Sequence, residues 1–339
     1  MMSDRPIQLC LLIVAFASAC LHGDEGSDAK SYEARDSLAI KKDESSDAQQ
    51  CLDGLKWQAS SFSVNCNSGK DEAYDKLVRF PTAVPSGDKT NDLVAMEWYA
   101  AKDDSGMWVD APAMLVVHES GSSMPVGRLF ARSFQSKGYH AFLIHLPHYG
   151  KRRPGTKRPK VEKLVTAIHQ ACADVRRGYD AIAVLPHVQK GAIGVQGTSL
   201  GGFVVATAAS LDGCFCSVFI TLAGGDLYDV INSGQKDAAR VREMLAEAGY
   251  TDDKLKQLVR RIEPLRVAHR LNPQTTWIYS AQQDTVVPLR NAESLAKQIG
   301  LMDDHHVKVL GNHYTAIAFF PKILQHMVDA VKASATIHD

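Results

Sequence analysis

An excess of charge of either sign is missing from this chain: 38 Lys and Arg face 38 Asp and Glu, a formal net charge of zero at pH 7. So balanced a composition carries no electrostatic footprint for nucleic acid or for an anionic membrane surface. Metal-ligand spacing is missing too. Among 7 cysteines and 13 histidines no CxxC pair or His/Cys cluster falls at the separation of a zinc site, so neither a metal nor another cofactor is called for. Beyond residue 20 no apolar run is long enough to cross a bilayer as a helix. No period recurs along the chain, which removes solenoids and propellers. What is left is 339 residues, 45% of them hydrophobic, enough to bury one large core or two small ones.

The start, MMSDRPIQLCLLIVAFASAC, joins a short lead containing Arg5 to an apolar run over residues 9–16 and then to Ala17-Ser18-Ala19, the small-x-small pattern of a cleavage site. This predicts an export signal over residues 1–19, hence a secreted or periplasmic protein; a buried strand is the other reading. Cys20 resembles the lipid-acceptor cysteine of bacterial lipoproteins, with Ala17 where that motif prefers leucine, so a lipid anchor stays open. Residues 20–73 are rich in Asp, Glu, Ser and Lys and poor in large apolar side chains, which predicts a partly disordered linker that cannot offset its ordering entropy by burial. Within it, Cys51 and Cys66 would close a small loop in an oxidising compartment or remain free thiols. Cys172, Cys214 and Cys216 lie in apolar stretches and read as small buried hydrophobes.

From about Tyr74 to residue 335, β-rich runs alternate with longer helical ones. LVAMEWYAA, AMLVVHE, HAFLIHL, GAIGVQ, CSVFITLAG, TTWIYSA and HHVKVLG read as strands. That order predicts an α/β fold: a doubly wound, mostly parallel sheet with helices on both faces and ligands beyond the carboxyl ends of the strands. Residues 227–270 break the rhythm with charged helical patterns, AARVREMLAEAG and DDKLKQLVRRI. They read as a helical insertion whose Val241, Met244, Leu245, Leu255 and Leu258 share a face, either as a lid over the site or as scaffold packed on the core.

Three strand ends carry chemistry. In VQGTSLGG, glycines two before and two after Ser199 remove the side chains that would collide in a sharp strand-to-helix turn, which leaves the serine hydroxyl exposed. A serine hydroxyl is a weak nucleophile at neutral pH and needs a neutral imidazole to take its proton. His313, after HHVKVLG, is the candidate base; His305 and His306 open that strand and fall at its opposite end. Asp284, in SAQQDTVVP, is the candidate that orients the ring, with Asp226 after CSVFITLAGG as its rival. The chain order Ser, Asp, His is that of the α/β-hydrolases.

Together, the GTSLGG elbow, the SAQQDTVVP acid loop, the strand-and-turn VVHESG and a Gly-x-His before the last helix resemble the α/β-hydrolase superfamily from about Val78 onward, nearest its dienelactone hydrolase-like branch. Two departures stand out: the glycine of VVHESG comes one residue early, and serine replaces the branch's cysteine nucleophile, which favours ordinary carboxylic esters. The resemblance implies an acyl-enzyme mechanism with backbone N–H groups of Leu200 and Ser120 as oxyanion donors. It also brings Glu119 towards the nucleophile. His118 reads as a strand-end residue that supports this loop. In HLPHYGKRRPGTKRPK, residues His148, Tyr149, Arg152 and Arg153 fall at the same sheet edge and are candidates to face substrate; the cationic run through Lys151, Lys157, Arg158 and Lys160 otherwise reads as a solvated loop. The expectation is an esterase acting on a small-molecule ester. A prolyl-oligopeptidase-like peptidase and a non-catalytic binding protein that keeps the fold are the alternatives.

Overall fold

The computed structural model describes residues 29–69, 72–155 and 163–335; the expected signal over residues 1–19, Cys20, and the cations Lys157, Arg158 and Lys160 lie outside the described residues. The strands are β1 (Lys30–Arg35), β2 (Ser61–Ser68), β3 (Lys76–Pro81), β4 (Leu93–Tyr99), β5 (Ala111–Val117), β6 (His140–Ile144), β7 (Val188–Thr198), β8 (Val218–Thr221), β9 (Thr276–Ala281) and β10 (His306–Val309). The helices are α1 (Ser46–Leu55), α2 (Pro125–Ser136), α3 (Leu164–Ala183), α4 (Leu200–Ala209), α5 (Leu227–Ser233), α6 (Asp237–Glu247), α7 (Asp252–Arg260), α8 (Leu289–Ile299) and α9 (Phe320–Ala335).

Among the described residues the strands form one ten-stranded sheet in the order β1-β2-β3-β4-β6-β5-β7-β8-β9-β10. From β6 to β10 every neighbouring pair is parallel, and β1 to β4 add an antiparallel flank. The central strands are apolar on both sides, as a sheet covered on both faces requires. Leu115 and Val117 of β5 belong to the core on the face covered by α3 and α4; Met114 and Val116 belong to the core on the other face, with Phe130 and Phe134 of α2. Strand β5 lies between β6 and β7; the chain leaves β5 through α2 on one face and leaves β7 through α4 on the other, which opens a crevice at the carboxyl ends of the two strands.

The amino-terminal segment departs from the expected linker. Residues 30–68 form β1, α1 and β2, and β2 pairs with β3 to extend the sheet. Leu52, Leu55, Phe62 and Val64 join the core, and charge pairing adds to their burial. Asp36 holds Arg177 through both carboxylate oxygens, and both side chains are buried. Ser37 bonds Asp180, Asp43 receives His269 and Arg270, and Asp47 receives Arg266 through several N–H groups. The two readings of the cysteines separate in the same segment, in favour of free thiols. Cys51, on the buried face of α1, and Cys66, on β2, are both free; burial pushes the Cys66 thiol up to about 11.

The insertion forms α5, α6 and α7. Leu245, Leu255 and Leu258 are buried against Val165 of α3, with Phe203 of α4 and Val241 packed alongside, whereas Met244 turns outward and is 39% exposed. Most of its apolar face therefore covers helices of the main domain.

Candidate active site

Ser199 stands between β7 and α4 with φ 51° and ψ −114°, a conformation that costs a non-glycine residue on the order of 1–3 kcal/mol and persists only when its surroundings impose it. The surroundings do so. The Ser199 N–H donates to Thr221 O at 2.8 Å, and the turn is packed backbone to backbone. A Cβ on Gly197 would lie 2.3 Å from Gly201 O, and one on Gly201 would lie 2.2 Å from Val117 O, so neither position admits a side chain.

The loop after β10 brings His313 to this turn. Asn312 Oδ1 accepts from the N–H groups of Tyr314 and Thr315, and Thr315 Oγ1 accepts from the Asn312 N–H, which folds the loop around the histidine. The acid loop is tied to it by backbone bonds from Gln282 N to Val309 O and from Gln283 N to Gly311 O, each 2.9 Å. His313 Nδ1 lies 2.7 Å from Asp284 Oδ2, and Nε2 lies 3.1 Å from Ser199 Oγ. The other Asp284 oxygen accepts from the N–H groups of Val286 and Val287, fixing the carboxylate at the start of the next turn. A ring that donates from Nδ1 to a carboxylate presents a lone pair at Nε2, so this line of three groups can draw the proton from the serine. Asp226, the rival acid, is exposed, and its side chain accepts from the Asp229 N–H at the start of α5.

Glu119 and Ser120 line the same cavity as Ser199 and His313. The Glu119 carboxylate accepts from the N–H groups of Val126 and Gly127 at 2.9 and 3.0 Å, a favourable place for an anion at the first turn of α2. It thereby clamps the loop that carries Ser120. His118 supports the loop from beneath: Nδ1–H donates to Glu119 O at 2.6 Å and Nε2 accepts from the Leu146 N–H at 3.0 Å. Burial holds this ring neutral, with its pKa pushed down to about 3. Leu200 begins α4 immediately after Ser199 and is half-buried against the core.

The other substrate-facing candidates are corrected. Arg152 is fully buried and binds Asn91 O, His145 O and Asp174 Oδ2 at 2.8, 3.0 and 2.8 Å; its five-donor fork braces the loop after β6 from inside. Tyr149 packs its ring on His118 at 4.9 Å, and the His148 N–H donates to Asn91. None of the three lines the cavity at Ser199. Lys151 reaches Glu72 on the surface.

The cavity at Ser199 has a volume of about 230 Å³. Polar groups gather near the serine, and the remaining wall is apolar: Val126, Phe130, Ile317, Phe320, Ile323 and Val309. Asp237 of α6 is the insertion's contribution among the described residues lining it, and its carboxylate accepts from the Tyr314 hydroxyl at 2.9 Å. The sequence reading passed over this wall because its members come from α2, β10, the turn at Ile317 and α9, brought together from two distant parts of the chain. Asn312 was also missed, although an Asn three residues before a Thr is a turn signal.

No protein-family model matches the chain, and no curated protein matches it. Solved structures do. An acetyl xylan esterase from Paenibacillus sp. R4 superposes with a TM-score of 0.60 at 14% identity, covering 86% of this chain and 96% of that one. The chain has the α/β-hydrolase fold. Acetyl xylan esterase 1 from Thermoanaerobacterium sp. JW/SL YS485 gives a TM-score of 0.57 at 12% identity over 86% of this chain and 96% of that one. Esterase Pf2001 from Pyrococcus furiosus gives 0.53 at 16% identity over 78% and 95%. On this fold the crevice at the carboxyl ends of β5 and β7 is where Ser199, His313 and the Glu119–Ser120 loop converge.

Proposed function

We propose that the protein is a serine hydrolase that cleaves a carboxylic ester through an acyl-enzyme. The observation that carries this reading is the hydrogen-bonded line Asp284–His313–Ser199, with the serine held on a strained elbow at the mouth of an apolar cavity. In the first step Ser199 Oγ attacks the ester carbonyl while His313 Nε2 takes the hydroxyl proton. The imidazolium so formed is stabilised by Asp284 and returns the proton to the departing alkoxide. The N–H groups of Leu200 and Ser120 receive the negative charge of the tetrahedral intermediate. Water, activated by the same histidine, then releases the acid. Glu119 is assigned a positioning role, since both its oxygens are engaged at α2. The resemblance to the dienelactone hydrolase-like branch, and the esterases that share the fold, support ester cleavage. Export across a membrane is proposed from the apolar run and Ala17-Ser18-Ala19 alone.

Treatment with a fluorophosphonate probe tests the assignment, because only an activated serine reacts. Labelling is expected at Ser199, with p-nitrophenyl ester turnover lost in step. Ser199→Ala should fold, resist the probe and lose about three or more orders of magnitude in kcat. A folded parent protein that neither labels nor turns over simple esters would overturn the assignment.

A further inference from the structure

The cavity beside Ser199 shares a wall with a second hollow. Tyr279, Val309 and Ile323 line both the cavity of about 230 Å³ and a neighbouring one of about 210 Å³ on the far side, next to Lys308, Lys322 and His326. All three wall residues are buried. Tyr279 is pinned by a 2.7 Å bond between its hydroxyl and His326 Nδ1, so the partition is held from behind.

Resting on the serine-hydrolase reading, we propose that this cavity is an acyl pocket for a neutral chain of about six to eight carbons, with Ile323 as the residue that sets the length limit. Volume gives the size: 230 Å³ holds roughly seven or eight groups at about 30 Å³ each, the share of a water-sized group. Charge gives the class. Among the described residues no Lys or Arg lines the cavity, while Glu119 and Asp237 do, so an acyl group ending in a carboxylate would find no cationic partner there. Phe130, Phe320, Ile317 and Val126 offer apolar surface instead. The wall of Tyr279, Val309 and Ile323 favours the acyl half of the ester in this cavity. The acyl half stays bonded to Ser199 Oγ until water attacks, whereas the alcohol must depart after protonation and needs a path to solvent.

The test uses the full chain and p-nitrophenyl esters from acetate to dodecanoate, with a fluorophosphonate probe to count active serines. In the parent protein kcat/KM should rise by up to about fourfold per methylene as far as hexanoate or octanoate, then fall. Ile323→Phe should shorten the optimum to about butanoate. Ile323→Ala should join the two hollows and move the optimum to decanoate or beyond. Methyl and butyl octanoate should be cleaved alike. Several results overturn the pocket while leaving the serine hydrolase intact: a labelled parent whose rates fall steadily from acetate, rates that follow the alcohol's length instead, or two folded and labelled Ile323 variants that keep the parent optimum. A folded protein that does not label overturns both readings.

Discussion

The ring of His118 accepts a hydrogen bond from the Leu146 N–H at 3.0 Å, which joins the loop after β5 to the loop after β6 beneath the candidate oxyanion site. The bond requires a neutral Nε2. Burial depresses the folded pKa from 6.5 to about 3, so in acid the unfolded chain takes up a proton that the folded ring refuses. Stability from this group is complete above pH 6.5 and is lost as pH falls towards 3. At pH 5 the loss relative to pH 7 should be about 2 kcal/mol, at about 1.4 kcal/mol per unit. His145 and His306, also depressed by burial, act in the same direction. Glu97 continues the trend: burial would raise its pKa, but bonds from His145, Arg128 and Tyr99 outweigh this and hold it at about 2. Urea midpoints at pH 7.5 and 5 should differ less in His118→Gln than in the parent, and equal differences would show that the ring does not set this dependence.

Asp36 and Arg177 supply a second prediction. Both are buried, so Asp36→Ala leaves a guanidinium without its carboxylate, and unfolding free energy should drop by about 3–5 kcal/mol. Ester turnover per folded molecule should be unchanged, because the pair lies at the amino-terminal flank. A loss below about 1 kcal/mol in chemical denaturation would mean that the pair does not anchor the segment.

The two acids should separate by kinetics. Asp284→Asn would present the wrong ring tautomer to Ser199 and lower kcat by about three to four orders of magnitude, with the fold retained. Asp226→Asn should stay within about threefold of the parent and cost a few tenths to about 1 kcal/mol of stability, since it alters only the cap of α5. The reverse ranking would hand the orienting role to Asp226.

Two glycines distinguish crowding from backbone strain. Gly201→Ala places a Cβ 2.2 Å from Val117 O and 2.7 Å from His118 O, so the elbow must shift, with a loss of about 3 kcal/mol or more and slower probe labelling. Gly213→Ala meets open space at φ 69° and should cost only about 1–2 kcal/mol, with labelling intact. Matching losses and labelling rates would mean that the elbow is looser than its contacts imply.

The strands from residue 93 onward could be read from the chain because β4 to β9 are near-continuous apolar runs bounded by turn residues. The serine, acid and base were legible for a related reason: each falls within a few residues of a strand's carboxyl end. Strands β1 and β2 were not. They lie in a stretch whose many polar and charged residues read as a linker, although Phe62, Val64 and Cys66 alternate inward on β2, and much of what ties the segment down is ionic: Asp36, Asp43 and Asp47 find arginines that no local window contains. Arg152 misled in the opposite sense, since a charge within a basic run reads as solvated until Asp174 and two carbonyls are seen around it. The insertion's apolar spacing was readable, but α3 and α4 as the surface it meets were not.

The ties at the amino-terminal flank also bear on synthesis. Asp47 and Arg266 are 219 residues apart, so at about 5–20 residues per second a ribosome needs roughly ten to forty seconds after making the aspartate to supply its partner. Until then the carboxylates of Asp43 and Asp47 remain in water, while β1 and β2 can already pair with each other. The earliest part of this flank to emerge is thus fastened among the last, when the segment just before β9 clears the exit tunnel.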